Sequence, residues 1–179
     1  MSGTVEGRES TRRCGTHHDE AAISNAGDGR CVMSQENRIV VGIDGSASSL
    51  AALDWALSQA ELTGATVEAV TAWEYPAFYS WEGGAVPPRE FENAASVTVE
   101  DAVDNAVDRR ANPPRVRTHV AQGDSARVLL DTAEDAELLV VGSRGHGGFV
   151  GALLGSVSHK CTHHAECPVV IVHASTERQ

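Results

Sequence analysis

The spacing of apolar residues along the chain predicts five short strands. Nearly continuous, β-branched runs at residues 39–43, 138–141 and 169–172 are typical of strands that are buried on both faces. Residues 66–73 predict another strand. Apolar and polar residues alternate over residues 116–120, which predicts a strand that is exposed on one side and lies at an edge of the sheet.

Apolar positions that recur every three or four residues predict helices between these strands. The helices are predicted over residues 50–60, 91–110, 126–133 and 156–165. In the first helix, Ser46 or Ser48 is available as the N-cap and Gly64 as the end. Its predicted inward positions are Leu50, Leu53, Leu57 and Ala60. Because strands and helices alternate, we expect a doubly wound parallel sheet with helices on both faces and right-handed crossovers.

Two segments lack this periodicity. Residues 1–36 are polar and rich in glycine, serine and charge, so they are predicted to be a disordered tail. Met33 lies just ahead of the first strand, and we hypothesise that it is an alternative translation start. Residues 74–89 predict a long surface loop. Its aromatic residues are expected either to cover a ligand or to form a small cluster of their own: Tyr75, Phe78, Tyr79 and Trp81.

Composition narrows the functional classes. The 179-residue chain is 41% hydrophobic, enough for one core, and its formal net charge is −11. The 14 basic residues form no long run, which argues against nucleic-acid binding. No apolar stretch approaches the roughly 20 residues that span a bilayer, and the N-terminus lacks the apolar core of a signal peptide. We therefore expect a cytoplasmic protein that does not bind membranes.

A glycine-rich segment follows the strand at 138–141 and precedes the helix at 156–165. Five glycines lie between residues 142 and 151, so backbone amides there can approach a ligand closely. The helix start adds unpaired N–H groups and a partial positive charge, which favour phosphate. Because no lysine follows these glycines, the segment does not match G-x-x-x-x-G-K-[ST], nor is it a G-x-G-x-x-G turn after the first strand.

The order and spacing of three segments resemble the universal stress protein (UspA) family, in its ATP-binding subclass. They are Ile-Val-Val-Gly-Ile-Asp-Gly-Ser at 39–46, the stretch 138–158 with Gly142, Gly145 and Gly155-Ser156, and Cys-Pro-Val-Val-Ile-Val at 167–172. The resemblance implies a universal stress protein domain over residues 37–175. It also implies an adenine-nucleotide alpha-hydrolase-like sheet of five parallel strands in the order 3-2-1-4-5.

The same resemblance implies an ATP site where the strand order reverses, between the first and fourth strands. Asp44 would lie at the adenine and ribose, and backbone near Ala72 would meet the adenine edge. Gly142, Arg144 and Gly145 would wrap the ribose and phosphates. Gly155, Ser156 and Val157 would donate amides to the outer phosphates, with Mg²⁺ as a bridging ion. The implied ATP-binding residues are Gly42, Asp44, Ala72, Gly142, Ser143, Arg144, Gly145, Gly155, Ser156 and Val157, and Gly→Ala changes at Gly145 or Gly155 are expected to abolish binding.

By the same resemblance the protein is a homodimer that is joined through its last strand, by Val169, Val170, Ile171 and Val172. An exposed hydrophobic edge strand gives dimerisation a physical reason of its own. The implied function is a regulatory switch in the stress response, in which bound nucleotide changes the affinity for a protein partner that the sequence does not identify.

Alternative functions stay open at this point. The protein could be a slow ATPase, a nucleotide-dependent transferase or a nucleotide-free scaffold. No residues are assigned to catalysis, because the loop carries one cation, Arg144, and His146 is interpreted as a solvated loop residue. Cys161, His164 and Cys167 could form a soft-metal or redox group. Cys161 also fits the apolar face of its helix as a small hydrophobe, so no metal site is assigned.

Overall fold

The computed structural model describes residues 37–75, 87–146 and 153–174. The predicted tail at 1–36, including Met33, lies outside the described residues. So do the aromatic residues Phe78, Tyr79 and Trp81 and the middle of the glycine-rich segment, residues 147–152.

Within these ranges, strands and helices alternate as the apolar pattern predicts. The elements are β1 (Arg38–Gly42), α1 (Ala47–Thr63), β2 (Thr66–Trp73), α2 (Pro88–Val107), β3 (Val116–Gln122), α3 (Ser125–Thr132), β4 (Leu138–Gly142), α4 (Ser156–His164) and β5 (Val169–Val172). None of the described helices is both long enough and apolar enough to cross a lipid bilayer.

The five strands form one parallel sheet in the order β3-β2-β1-β4-β5. This confirms the predicted fold class and strand order. From β1 the chain first moves outward through β2 to β3, and it then returns to place β4 on the other side of β1. The crossovers that leave β1 and β4 therefore run in opposite directions, which opens a crevice at the carboxyl ends of these two strands.

Helices cover both faces of the sheet. Residues of α1 and α2, such as Leu53, Leu57 and Val99, pack with Val41 and Val67 on one face. On the other face, residues of α3 and α4 pack with strand residues in a second core, which contains Val40, Val70, Ala126, Leu129, Leu139, Val141 and Cys161. β1 and β4 are buried between these layers, which explains why their sequences are almost entirely apolar.

The ends of the helices follow local sequence signals. The exposure of Leu50 and the start of α2 differ from prediction. Ser46 caps α1 by accepting a hydrogen bond from the Ser49 amide, and Gly64 ends the helix in the left-handed region at φ 73°. Leu50, predicted to face inward, is 40% exposed, because α1 turns Ser48 and Ser49 toward the sheet instead. α2 begins at Pro88 and not near residue 91, since proline is well suited to the first turn of a helix.

Candidate functional site

The turns after β1 and β4 lie against each other at the crevice. Beyond β1, the backbone N–H of Ser46 donates to Asp44 Oδ1 at 3.0 Å, and the N–H of Asp44 donates to Ser49 Oγ at 3.4 Å. These bonds fix the Asp-Gly-Ser turn at the start of α1. A β-carbon on Gly145, beyond β4, would collide with the carboxylate oxygen Oδ2 of Asp44. The two turns are therefore in direct contact.

Gly142 ends β4 where the first turn of α1 crosses the sheet. A β-carbon at this position would lie 2.7 Å from Ser48 Oγ and 2.8 Å from the Ser49 nitrogen, closer than real β-carbons come. Glycine is therefore required for helix and strand to pack this closely. The small buried residues Ser48 and Ser49 at the start of α1 have the same explanation.

The carbonyl oxygen of Arg144 ties the second turn to α1. It accepts hydrogen bonds from the Ser48 hydroxyl and, at 3.3 Å, from the Ser46 hydroxyl. Arg144 itself is exposed. The backbone of Arg144 is thus held by two serines of the segment after β1, while the residue as a whole remains exposed.

Ser143 braces the start of α4 from the interior. It is buried, and its N–H donates to the Val172 carbonyl at 2.7 Å. Its carbonyl accepts from the Gly155 N–H at 2.8 Å and from Ser158 Oγ at 3.2 Å. Ser143, although among the predicted binding residues, does not line the cavity described below. The Gly155 N–H is likewise engaged within the protein, so it is not free to bind a phosphate.

A cavity of about 390 Å³ occupies the crevice. This volume falls in the range of roughly 300–1,000 Å³ that is usual for small-molecule sites. Nine of the ten residues predicted from the sequence line it: Gly42, Asp44, Ala72, Gly142, Arg144, Gly145, Gly155, Ser156 and Val157. The topology therefore brings together segments that lie more than 110 positions apart in the sequence, from 42 to 157.

One wall of the cavity is apolar and was not predicted. Its residues are Ile43, Val70, Leu129, Val141 and Leu154. Val70 precedes Ala72 by two positions on β2, so the alternation of side chains along a strand could have indicated it. Leu129 could not be found in this way, because it reaches the cavity from α3. The remaining lining residues are Ser49, Ser125, His146 and Ser158.

The other lining residues are mostly polar, and they include charged groups and the first amides of α4. α4 begins with Ser156, and its N-cap, Gly155, has no side chain to bond the first amides. Such amides of a first helical turn point outward and attract anions. Among the described lining residues, Arg144 is the permanent cation and Asp44 the acid.

Asp44 is held as a carboxylate. Partial burial acts to raise its pKa, but hydrogen bonds from Ser46 and Ser49 and the nearby His146 imidazole outweigh that effect. The pKa of Asp44 therefore lies below its ordinary value of 3.8. At neutral pH this group accepts hydrogen bonds and carries a negative charge.

The cysteines of α4 and the segment after it show no arrangement for a metal. Cys161 is fully buried in the second core, and burial raises the pKa of its thiol to about 11. Burial also raises the pKa of Cys167. In the part of the chain that the structure describes, no three or more His, Cys, Asp or Glu side chains converge as metal ligands. Cys161 is accordingly a core residue, which was one of the two interpretations of the sequence.

The fold and the site together define a doubly wound α/β protein. Its cavity has the size of a small-molecule site and lies at the topological switch point, where the strand order reverses. The model of the universal stress protein family matches residues 36–173. A universal stress protein of Mycobacterium tuberculosis strain H37Rv is 37% identical over 140 residues, which cover 75% of this chain and 47% of that protein. The chain belongs to the universal stress protein family, as the resemblance in its sequence indicated. It spans about half the length of these curated relatives.

Solved structures of the family have the same fold. A universal stress protein in complex with cAMP is 30% identical, with a TM-score of 0.57 over 78% of this chain and 98% of that one. The protein UspA from Lactobacillus plantarum is 20% identical, with a TM-score of 0.64 over 76% of this chain and 97% of that one. The second likeness concerns the fold alone.

Proposed function

We propose that this protein binds ATP in the switch-point cavity and acts as a nucleotide-dependent regulatory protein of the stress response. The observation that carries the proposal is that one cavity is lined both by apolar residues and by polar residues with a helix N-terminus. A nucleotide likewise combines a flat apolar base with charged phosphates. The relative solved with cAMP, also an adenine nucleotide, supports this class of ligand.

The apolar wall is suited to the base. Val70 and Leu129 come from two different elements, β2 and α3, and both are buried. Ala72 follows on β2, near the carboxyl end of the strand, where its small side chain leaves the backbone open to the adenine edge. The Asp44 carboxylate, an acceptor at neutral pH, suits ribose hydroxyls and would repel phosphates, which places the phosphates toward α4.

The start of α4 is suited to the phosphates. Ser156 offers a hydroxyl and an amide, and Val157 offers an amide, at the positive end of the helix dipole. Because the Gly155 N–H is bonded to Ser143, Gly155 would contribute backbone shape and not a donor. Arg144 would supply the positive charge, and Mg²⁺ would neutralise the remaining phosphate charge by binding phosphate oxygens, as it does in other nucleotide sites.

This site favours holding a nucleotide over cleaving it. Asp44, the acid among the described lining residues, has a pKa below its ordinary value, so it is a weak general base. The hydrogen bonds that lower this pKa also keep the carboxylate in place against Gly145. We therefore assign the bound nucleotide a signalling role, in which it orders the β4–α4 connection.

The proposed dimer joins two copies through β5. The carbonyls of Pro168 and Val172 accept hydrogen bonds from Leu139 and Ser143 at 3.0 and 2.7 Å, so these residues turn their polar backbone toward β4. By alternation, the backbone groups of Val169 and Ile171 point to the open edge of the sheet. An edge of this composition is suited to pairing with the same edge of a second copy.

An apolar groove beside this edge extends the same surface. It has a volume of about 320 Å³ and contains Trp55 of α1, which is 36% exposed. The other lining residues are Ile39, Gln59, Thr63, Glu137, Leu138 and Val170. Since Val170 belongs to β5, a second copy that pairs along β5 would also cover this groove.

Nucleotide release tests the proposed ligand. Purified protein is denatured, and the released nucleotide is identified by mass and counted per chain. ATP in the released fraction, together with calorimetric binding of ATP tighter than cAMP, AMP or ADP, is the expected result. Released cAMP or AMP would agree with the proposed nucleotide site but would contradict ATP as its ligand. If no nucleotide is released and none of the four nucleotides binds, the result would favour a nucleotide-free scaffold. Phosphate release over many turnovers, abolished by Asp44→Ala, would favour an ATPase.

Sedimentation tests the dimer with two variants at one position. Ile171→Pro removes the outward-pointing N–H without breaking the ladder to β4, whereas Ile171→Ala removes the side chain and keeps the N–H. We expect a dimer in the parent and in Ile171→Ala, and a folded monomer in Ile171→Pro. A dimer that survives Ile171→Pro would contradict pairing through β5.

A further inference from the structure

Histidines gather on the exposed side of α4, outside the cavity. His159, His163 and His164 are all exposed. His159 and His163 are four residues apart, so they lie one above the other on the same helix face. Their ring centroids are 4.5 Å apart and their planes are tilted by 48°. The nucleotide site uses neither ring.

The distance between the two rings is that of neighbouring ligands on one metal ion. A metal–nitrogen bond of about 2.0–2.1 Å places an imidazole centroid about 3.2 Å from the ion. Two such centroids lie about 4.5 Å apart when the ligands are at right angles, and about 5.2 Å apart at the tetrahedral angle. The observed 4.5 Å corresponds to the right angle. Square-planar and tetragonal coordination by nitrogen is typical of Cu²⁺ and Ni²⁺.

We propose that His159 and His163 form a two-histidine chelate for Cu²⁺ or Ni²⁺ on the outer face of α4. Because no third side-chain ligand converges there among the described residues, water completes the coordination. Pairs of histidines at this spacing on one helix face are a general arrangement for binding a transition metal.

The surroundings of the pair are compatible with a cation. The nearest basic neighbour on the helix, Lys160, is engaged with Asp124, with its Nζ atom 3.0 Å from Asp124 Oδ2. His163 lies in the last turn of α4, where the helix dipole favours positive charge. The formal net charge of the chain, −11, acts in the same direction.

A chelate across one helical turn has a structural consequence. It links residues four positions apart, and it therefore favours the helical over the unfolded conformation of that turn. α4 also provides Ser156 and Val157 to the cavity. Metal binding is expected to raise the melting temperature whether or not the cavity holds a nucleotide, so this proposal stands apart from the proposed function.

Calorimetric titration of the full chain with Cu²⁺, Ni²⁺ and Zn²⁺ at neutral pH tests the site. We expect one site per chain, with affinities in the order Cu²⁺ over Ni²⁺ over Zn²⁺. His159→Gln and His163→Gln should each weaken Cu²⁺ binding by about tenfold or more, since even the loss of an outer-shell partner typically costs this much. His164→Gln is the matched control, because its ring centroid is 6.5 Å from that of His163. It should leave the affinity unchanged.

The N-terminal segment carries its own possible metal ligands, Cys14, His17 and His18. A variant with Cys14→Ser, His17→Gln and His18→Gln removes them and should keep the Cu²⁺ site. Paramagnetic resonance of the Cu²⁺-loaded variant should show two equivalent nitrogen ligands. Cu²⁺ binding that persists in both His159→Gln and His163→Gln, or that disappears in the N-terminal variant, would overturn the proposal. So would the absence of Cu²⁺ binding at micromolar concentrations.

Discussion

Gly145 lies so close to Asp44 that a β-carbon on the glycine would occupy the space of the carboxylate oxygen Oδ2. One residue belongs to the turn after β1 and the other to the turn after β4, and they come together only because these strands are neighbours in the sheet. The contact holds Asp44 at the rim of the cavity. The same contact distinguishes Gly145 from Gly155, although both glycines belong to the same sequence motif.

Gly145→Ala and Gly155→Ala should differ in their effect on nucleotide binding. At Gly145 the methyl group must displace the Asp44 carboxylate, so ATP affinity should fall by about tenfold or more. At Gly155 a β-carbon would lie 3.5 Å from the Arg144 α-carbon, an ordinary contact, and the backbone at φ −74° accepts alanine. The expectation from sequence that both changes abolish binding is therefore revised. Calorimetry with ATP measures both, and equal losses would contradict this distinction.

Asp44→Asn should weaken nucleotide binding while the protein stays folded. A hydrogen bond to a charged group contributes about 1.5–3 kcal/mol, so the loss should be about 10- to 100-fold. The matched control is Asp54→Asn, because Asp54 is an acid of α1 whose partners are Arg109 and Arg110, away from the cavity. An unchanged ATP affinity in Asp44→Asn would remove Asp44 from the site.

Asp44 should also make the free energy of unfolding depend on pH. Because the pKa of Asp44 in the folded protein is below its ordinary value of 3.8, ionised Asp44 contributes stability that is fully present above that value. This contribution is lost as the pH falls through the lower, folded pKa. Urea unfolding of the parent and Asp44→Asn should show a difference in unfolding free energy at pH 5 to 7 that shrinks below about pH 4. A difference that grows on acidification would contradict the lowered pKa.

Ser48→Ala should loosen the link between α1 and the turn after β4. The change removes a buried hydroxyl that donates to the Arg144 carbonyl, and it should cost about 1 kcal/mol in unfolding free energy. ATP affinity should also fall, since the Arg144 carbonyl loses one of the two serine hydrogen bonds that hold it. Ser96→Ala is the control, because the Ser96 hydroxyl donates to the Glu92 carbonyl one turn earlier in its own helix. Urea denaturation and calorimetry measure the two effects.

Cys161 and Cys167 should differ in chemical reactivity and in their contribution to stability. Cys161 is fully buried with a thiol pKa of about 11, so iodoacetamide should label it only on unfolding, whereas the half-buried Cys167 should react first. Cys161→Ser places a hydroxyl in the second core and should cost roughly 1–3 kcal/mol. Cys167→Ser should cost less. Rapid labelling of Cys161 in the folded protein would contradict a structural role.

Local sequence patterns were enough to predict the strands and helices of this protein and its fold class. The continuous apolar runs of β1 and β4, the caps Ser46 and Gly64, and the alternation of strand and helix depend on local chemistry, which neighbouring residues reveal. The family resemblance of the glycine spacing and the Asp-Gly-Ser turn also indicated half of the described residues that line the cavity. Most of these residues are glycines or polar residues in turns, which short sequence patterns reveal.

The tertiary fold determines which of those residues face the cavity and which other residues complete its lining. Ser143 lies within the motif, yet its backbone braces β5 and α4 from the interior. Leu129 carries no motif, yet it forms part of the apolar wall because α3 packs over the carboxyl ends of β1 and β2. Leu50 matches the apolar period of α1 but is exposed, because the close approach to Gly142 turns the helix and brings Ser48 and Ser49 inward. Packing between distant segments determines where these three side chains lie. Local sequence patterns do not specify such packing.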